Sequence, residues 1–286
     1  MAERKRLQDL TIKNNFMFGA VMCDENNCKG FLERVLQFPI ARVEISKEKS
    51  IVYHPEYKGV RLDVYAKDEQ GTHYDIEMQA IQKTAIEKRC RYYHSQMDME
   101  SLFSGEEYEN LPNSYVIFIC DFDPFGEKKY CYTFENVCLE NKELVLKDGC
   151  KSIFLSTKGE NDSEVSTALV NFLHFVKADL AESEADFQDE FVTELQKFIK
   201  HIKESREMGE RFMLFEELLK DERAEGRAEG RAEGRVDSIL TLLEEKGEIP
   251  TDLREKITKE KNMETLGNWI KLAAKTQSVE QFLNEM

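Results

Sequence analysis

The chain has 286 residues, of which 41% are hydrophobic and 34% are charged, which is enough apolar material for one large domain or two ordinary ones. The net charge is −16, with most of the surplus after residue 160, which argues against DNA binding by the field of the whole molecule but permits a local basic surface. No stretch approaches the roughly 18 apolar residues of a membrane helix, and the start of the chain is charged. The seven cysteines include no C-x-x-C pair. We therefore predict a cytoplasmic protein with reduced thiols and no membrane partner.

The first predicted elements are helical. Apolar residues at helical spacing run through 11–37, with an interruption near 24–27, and Pro39 ends the segment. This pattern predicts two short helices or one bent helix. Residues 40–53 are then predicted to form a first strand.

A β-hairpin is predicted next, within the stretch GVRLDVYAKDEQGTHYDIEMQ at 59–79. Apolar and polar residues alternate before the turn, which indicates a half-buried strand, and Gly71 is free to take a positive φ in the turn itself. In the returning strand, period two places Glu77 and Gln79 on the same face. Counting back from the turn places Asp63 opposite the region around Glu77.

Carboxylates that approach each other on strands are costly to bury unless they are paired or bind a metal ion. A hard cation such as Mg²⁺ prefers oxygen ligands and often takes one or two protein carboxylates, so Asp63 and Glu77 are a candidate metal site. The alternative is that both acids lie on the solvent face of an ordinary amphipathic hairpin. The spacing alone does not decide between the two interpretations.

A helix is predicted over 83–103, with tyrosines at its centre. Basic residues interleaved with aromatic residues can contact a phosphate backbone. The alternative is a solvated basic face with the tyrosines packed on the sheet. The first half of the segment carries the candidate DNA-contacting residues Lys83, Lys88, Arg89 and Arg91.

The following segments are predicted strands. The run YVIFIC within 114–120 is continuously apolar and β-branched, which is typical of a strand buried on both faces. Further strands are predicted at 130–137 and 152–155, after a turn at 121–126. Helices and strands in this order predict an α/β or α+β layer centred on the hairpin.

Several segments, in this order, resemble the PD-(D/E)-x-K nuclease-family transposases, also called recombination-promoting nucleases. The resemblance covers roughly residues 10–160 and implies an α/β, restriction-endonuclease-like core, a mixed central sheet flanked by helices. It also implies metal-dependent cleavage of DNA phosphodiester bonds, linked to recombination or mobile elements. The segments are TIKNNFMFGAVM, GVRLDVYA, DIEMQ, KRCRYYHSQMD, SYVIFICDFDPFG, YTFENVC and KSIFLSTKG.

The resemblance also implies roles for individual residues. Asp63 and Glu77 match the metal-binding acids, with the main-chain carbonyl of Met78 as an additional ligand. Gln79 stands where the wider superfamily has lysine, and an amide can orient a water but brings no positive charge. Asn15 lies where relatives often carry an Asp that would support the metal or its water.

We therefore predict a Mg²⁺-dependent DNA endonuclease, with Mn²⁺ or Ca²⁺ as alternative ions. Asp63 and Glu77 hold the metal, and Gln79 positions the attacking water. The alternative is a catalytically weak or inactive DNA-binding or interaction protein on a nuclease scaffold, which Gln79, Asn15 and the acidic charge favour.

After the nuclease-like domain at 1–160, all predicted elements are helical. We predict a helical extension at 161–222, a connector of three Arg-Ala-Glu-Gly copies at 223–235 and a small helical module at 236–286. In a helix the repeat places like charges four residues apart and adds unfavourable glycines. The tract is either a low-complexity connector or a glycine stripe for helix packing in a homodimer.

Overall fold

The computed structural model describes residues 6–47, 50–51 and 60–286. The chain divides into two compact units, Met1–Gly209 and Glu210–Met286. The predicted strand at 40–53 therefore lies partly outside the described residues, and so does Gly59 at the start of the hairpin stretch.

The elements are numbered here in chain order. The strands are β1 Val43–Lys47, β2 Ser50–Ile51, β3 Val60–Arg61, β4 Val64–Asp68, β5 His73–Gln79, β6 Ser114–Cys120, β7 Cys131–Phe134 and β8 Cys150–Ser156. The helices are α1 Asn15–Met22, α2 Glu25–Leu36, α3 Ile86–Ser101, α4 Thr167–Lys177, α5 Glu190–Glu204, α6 Arg206–Glu244, α7 Thr251–Lys259, α8 Met263–Lys275 and α9 Val279–Glu285.

A mixed sheet of six strands, in the order β1-β4-β5-β6-β8-β7, forms the centre of the first unit. The strands β1, β4 and β5 are antiparallel, β5, β6 and β8 are parallel, and β7 returns antiparallel to β8. Helices flank this sheet, and helices follow it to the end of the chain. The predicted fold class, a restriction-endonuclease-like core with a helical C-terminal region, is confirmed.

The predicted hairpin is present as β4 and β5. Its turn is closed by Asp68, whose Oδ1 accepts hydrogen bonds from the amides of Gln70 (2.9 Å) and Thr72 (2.8 Å). Gly71 has a φ of +82°, the left-handed conformation that the sequence predicted for it. The hairpin register pairs Tyr65 with Asp75.

Two features of the hairpin differ from the prediction. The first strand is interrupted at 62–63, because β3 pairs with β2 in a separate two-stranded sheet while β4 begins at Val64. The hairpin is also not half-buried. Tyr65 is buried beneath α3, and both Val64 and Ile76 are buried on the opposite face, because the hairpin is central in the sheet.

The N-terminal segment forms two helices rather than one bent helix. Asn14 caps α1 by accepting hydrogen bonds from the amides at 16 and 17, and Asp24 caps α2 in the same way at 26 and 27. A second N-cap starts a new helix, which separates the two. The helix α3 begins at Ile86, three residues later than predicted, after Ala85 in a left-handed conformation (φ +61°).

The second unit is helical throughout its regular elements. Helix α6 has 39 residues and contains all three Arg-Ala-Glu-Gly copies. Its C-terminal part packs with α7, α8 and α9 around a small core that includes Trp269. Among the described residues, no helix combines the length and apolar character that crossing a membrane requires.

Candidate metal and nuclease site

Asp63 and Glu77 lie together at the end of the hairpin remote from its turn. The amide of Asp63 donates to Oε1 of Glu77 (3.1 Å), and the amide of Met78 donates to Oδ2 of Asp63 (3.1 Å). Each carboxylate is therefore fixed by the backbone beside the other. The two side chains that the sequence predicted to meet do meet, because Asp63 directly precedes Val64 and Glu77 directly follows its partner Ile76.

The main chain of Met78 faces the same place. In an extended strand the N–H and the C=O of one residue point to the same neighbouring strand. Because the Met78 amide donates to Asp63, its carbonyl also faces the Asp63 side of β5. This orientation is compatible with the predicted role of the carbonyl as a metal ligand.

A third carboxylate, Asp75, lies on the same face of β5 and was not predicted as a site residue. Its side chain is fully buried and lies within hydrogen-bonding reach of the Glu77 carboxyl, a contact that requires one of the two groups to be protonated. The sequence did contain a signal for it, since Asp75, Glu77 and Gln79 follow one another at period two in DIEMQ. The side chains of β5 that face α3 thus include two acids and one amide at consecutive alternate positions.

Burial and mutual repulsion disfavour negative charge in this cluster. Burial, followed by the charge of Asp63, raises the pKa of Glu77 to about 8. Burial, followed by the charges of Glu77 and Asp63, raises the pKa of Asp75 well above its ordinary value. A cation bound beside these carboxyls would favour their ionised forms.

Arg89 of α3 is a cation that contacts Glu77 and Gln79. Its Nη2 donates to Oε1 of Gln79 (2.7 Å) and approaches Oε2 of Glu77 (3.4 Å). The guanidinium carbon lies 4.8 Å from the centre of the Phe118 ring and 5.5 Å from that of Tyr93. Arg89 is one of the predicted DNA contacts, but its guanidinium lies against Glu77 and Gln79 of the sheet.

Gln79 is held at both ends of its amide. Its Nε2 donates to the main-chain carbonyl of Ile81 (2.6 Å), and its Oε1 accepts from Arg89. A carbonyl oxygen has two lone pairs, so one remains to accept a hydrogen bond from water. The Nε2 group likewise keeps its second N–H, so both ends of the amide can still bind a water.

The other predicted DNA contacts lie away from the acids. Lys83 is exposed before the start of α3, and Lys88 and Arg91 are exposed on the helix. The neighbouring Tyr93 is buried and stacks on Phe118 at 6.2 Å between ring centres. The tyrosine thus packs on the sheet, and the exposed basic residues remain candidate phosphate contacts.

Asn15 is exposed in the first turn of α1. Among the described residues, no hydrogen bond joins it to Asp63 or Glu77, so its supporting role stays a prediction. A different residue of the N-terminal segment approaches the sheet at this edge. Lys13 forms an ion pair with Asp121 (3.0 Å), whose amide donates to the carbonyl of Gln79 (3.1 Å).

The donor groups suit a hard divalent cation. Asp63 and Glu77 supply carboxylate oxygens and Met78 a carbonyl oxygen, which are the ligand types that Mg²⁺ prefers. The charges of Glu77 and Asp63 help to raise the pKa of the buried Asp75 carboxyl, and a bound cation would relieve this repulsion. In the described part of the chain, no three His, Cys, Asp or Glu side chains are grouped closely enough to hold a metal.

The fold is a mixed sheet flanked by helices, and Asp63 lies just before β4 while Glu77 and Gln79 end β5. This combination is that of a nuclease-like protein with a restriction-endonuclease-like fold. The chain belongs to the PD-(D/E)XK nuclease family transposases, whose family model matches residues 12–228. The resemblance seen in the sequence is confirmed, and the match extends beyond residue 160. No curated protein and no solved structure matches the chain.

Membership in this family supports a nuclease-like or transposase-related function. Divalent metals are typical of PD-(D/E)XK nucleases, and DNA is the substrate that a nuclease of this family implies.

Proposed function

We propose that the protein is a Mg²⁺-dependent DNA endonuclease linked to recombination or mobile elements. The observation that carries this proposal is the reciprocal backbone bonding of Asp63 and Glu77, which fixes two carboxylates side by side on a buried sheet. Fixed, adjacent carboxylates in a low-dielectric setting are costly without a cation. Mn²⁺ and Ca²⁺ are the alternative ions.

In this proposal Asp63, Glu77 and the Met78 carbonyl hold the ion. A bound Mg²⁺ would supply polarisation of the phosphoryl group and a lowered pKa for a bound water. Oε1 of Gln79, held in place by Arg89, accepts a hydrogen bond from the attacking water and orients it. Hydrolysis is direct, with no covalent intermediate.

The missing superfamily lysine is replaced by Arg89. Its guanidinium reaches the end of β5 from α3 and lies within hydrogen-bond distance of Gln79. A fixed cation beside the scissile phosphate stabilises negative charge that develops in the transition state. Lys83, Lys88 and Arg89 are the candidates for this charge. Lys83 and Lys88 are exposed, and among these three described residues Arg89 is the one that contacts the site acids.

The exposed basic side chains of this region would hold the DNA. Lys83, Lys88 and Arg91 are proposed phosphate contacts on and before α3, which would give binding a steep dependence on salt. The chemistry lies in residues 1–160, and the helical extension, the repeat connector and the C-terminal module have no chemical role. A cytoplasmic location and a homodimer remain part of the proposal.

A second function is favoured by a specific observation. Arg89 already contacts Glu77 and Gln79, and both ends of the Gln79 amide are engaged. A site closed by its own arginine is compatible with a catalytically weak or inactive protein that binds DNA or a partner on a nuclease scaffold.

Plasmid cleavage by the purified protein in Mg²⁺, Mn²⁺ and Ca²⁺ tests the two functions. An endonuclease converts supercoiled plasmid to nicked or linear forms in Mg²⁺, and Glu77→Gln does not. A Mg²⁺ binding isotherm of both proteins identifies the ligand role independently of turnover. If the parent and Glu77→Gln bind Mg²⁺ equally and neither cleaves, the second function is the correct one.

A further inference from the structure

The first unit carries most of its exposed large apolar side chains in two segments, residues 99–108 and 134–146. In the part of that unit that the structure describes, eight of eleven such side chains belong to these segments. Single apolar residues scattered over a surface are normal, but a concentration of them marks an interaction site. The eight are Met99, Phe103, Tyr108, Phe134, Val137, Leu139, Leu144 and Leu146.

The two segments lie at the same end of the sheet, because they lead into neighbouring parallel strands. The first joins the end of α3 to β6, and the second joins β7 to β8. Ser114, which begins β6, pairs with Cys150, which begins β8, and the amide of Ser114 donates to the carbonyl of Gly149 (3.0 Å). We call the surface formed by residues 99–113 and 134–149 the apolar end.

The second segment forms a short hairpin arm with apolar side chains on both faces. Val137 is bridged to Val145 in the antiparallel sense. Side chains alternate between the faces of paired strands, so Val137 and Val145 share one face while Leu144 and Leu146 share the other. Leu146 is 67% exposed, and Leu139, on the face of Val137, is 83% exposed. The described part of the chain therefore leaves both faces of the arm largely uncovered.

The exposed side chains are of the kinds that dominate protein interfaces. Tyr108 is 87% exposed and Phe103 is 69% exposed, and Met99 lies on the last turns of α3 beside them in sequence. Aromatic residues and methionine are enriched in the buried centres of interfaces, where a few of them carry most of the binding energy. Together the eight side chains offer apolar surface on the order of several hundred Å², the size of patch that serves as an interaction site.

The charge of the apolar end restricts what can cover it. Its two segments contain eight Asp and Glu residues and two Lys residues, a balance of −6. Such a surface repels the phosphates of DNA and the head groups of anionic lipids. Two copies of the same acidic surface would also repel each other. Charge therefore favours a partner that brings both apolar and cationic side chains.

The apolar end lies away from the candidate nuclease site. Gln79 ends β5 beside Cys120, the last residue of β6, whereas the apolar end precedes Ser114, the first residue of that strand. Seven residues of extended strand separate the two ends by about 20 Å. A partner on the apolar end thus does not need to touch the site acids.

We propose that the apolar end docks a partner protein through a cationic amphipathic segment. Apolar side chains of that segment cover Tyr108, Leu139 and Leu146, and its Lys or Arg side chains meet the surrounding carboxylates. Opposite charges at the rim speed association and discriminate against partners of the wrong charge. The inference goes beyond the proposed nuclease activity and rests on none of its residues.

A designed peptide can stand in for the segment. The probe is a fluorescein-labelled helix of Leu and Lys, with the leucines on one face and the lysines on the other. One comparison peptide has the same composition in a scrambled order without an apolar face, and another has Glu in place of Lys. Binding to the full-length chain is measured by fluorescence anisotropy.

Two paired variants locate the binding surface. The test variant combines Leu139→Ser and Leu146→Ser, one leucine from each face of the arm. The control variant combines Leu214→Ser and Leu218→Ser on α6, where the two leucines are 61% and 63% exposed. It removes the same side-chain atoms from a comparably exposed place in the second unit. Thermal unfolding confirms that both variants are folded, and alanine replaces serine at the same positions if either is not.

We expect the parent to bind the Leu/Lys helix and the test variant to bind it about tenfold more weakly, because two apolar anchors are lost. The control variant should change the affinity by about twofold or less. The scrambled peptide should bind the parent about tenfold more weakly than the helix, because its leucines cannot all face the surface. The Glu peptide should not bind.

Four results would overturn the inference. Equal binding of the helix and the scrambled peptide shows only a general attraction to an acidic protein, and an equal loss in the control variant places the peptide elsewhere. A parent that sediments as a dimer, with a test variant that sediments as a monomer, makes a second copy the occupant. A parent that does not bind the helix has no such docking surface. DNA cleavage enters none of these measurements, so the nuclease activity and this inference stand or fall separately.

Discussion

Arg89 donates a hydrogen bond of 2.7 Å to Gln79, the side chain that the resemblance matches to the lysine of the wider superfamily. The contact brings a permanent positive charge from α3 to the end of β5, where the amide alone has none. The positive charge at this place is thus supplied by the guanidinium on the helix, which hydrogen-bonds the amide on the strand.

Replacement of Asp63 tests the assignment of the metal ligands. Asp63→Ala and Asp63→Asn should both lose metal-dependent plasmid nicking. Both variants remove one of three clustered acids. The asparagine also keeps an oxygen for the Met78 amide, which alanine leaves unpaired, so the metal-free protein should melt at a higher temperature with asparagine than with alanine. Nicking at the parental rate by Asp63→Asn would show that the carboxylate does not hold the ion.

Replacement of Gln79 tests how the water is positioned. Loss of one oriented group in an active site typically costs about 10²–10³ in rate, so Gln79→Ala should be severely impaired. Gln79→Lys should retain more activity than alanine but need more Mg²⁺ for half-maximal rate, because the new ammonium lies beside Arg89 and the site acids. Steady-state nicking over a Mg²⁺ titration measures both effects.

If Gln79→Ala nicks as fast as the parent, the water is positioned by another group. If Gln79→Lys needs the same Mg²⁺ concentration as the parent for half-maximal nicking, the new ammonium does not compete with the ion.

The stability of the metal-free protein should depend on pH through Glu77. Burial raises the pKa of this carboxyl to about 8 from an ordinary value of 4.5, so the native state holds a proton that the unfolded state has lost. Stability should therefore fall as pH rises from about 5 to about 8. In Glu77→Gln the fall should be shallower, as measured by thermal unfolding in EDTA.

The exposed Glu87 of α3 provides the control, and Glu87→Gln should follow the parental pH profile. A parental slope in Glu77→Gln would mean that this carboxyl does not carry the pH dependence.

Deletion of one Arg-Ala-Glu-Gly copy should leave the chemistry intact. Removing residues 223–226 shortens α6 by about 6 Å and rotates the C-terminal part of that helix by about 40°, while the site acids lie in the first unit. We expect a nicking rate within a few-fold of the parent, and the same for insertion of an extra copy. A hundredfold loss in either variant would make the tract, or a dimer that it builds, part of the catalytic assembly.

Local sequence determined the hairpin and the pair of acids on it. Alternating polarity decides which face of the sheet each side chain occupies, and the Asp68–Gly71 turn decides which residues lie opposite each other. Together they bring Asp63 beside Glu77. These relationships span only a few residues on either side of one turn. They required no knowledge of the remaining chain.

The tertiary structure decided the electrostatics of the site. Whether Asp75 is buried, and which of several basic residues meets Gln79, depends on the helix that covers this face of the sheet. That helix begins at Ile86 after the left-handed turn at Ala85, and its rotation directs Arg89 to the acids while Lys88 and Arg91 stay exposed. Periodicity identifies the faces of each element, but the packing of one element on another decides which charges lose water and which find a partner.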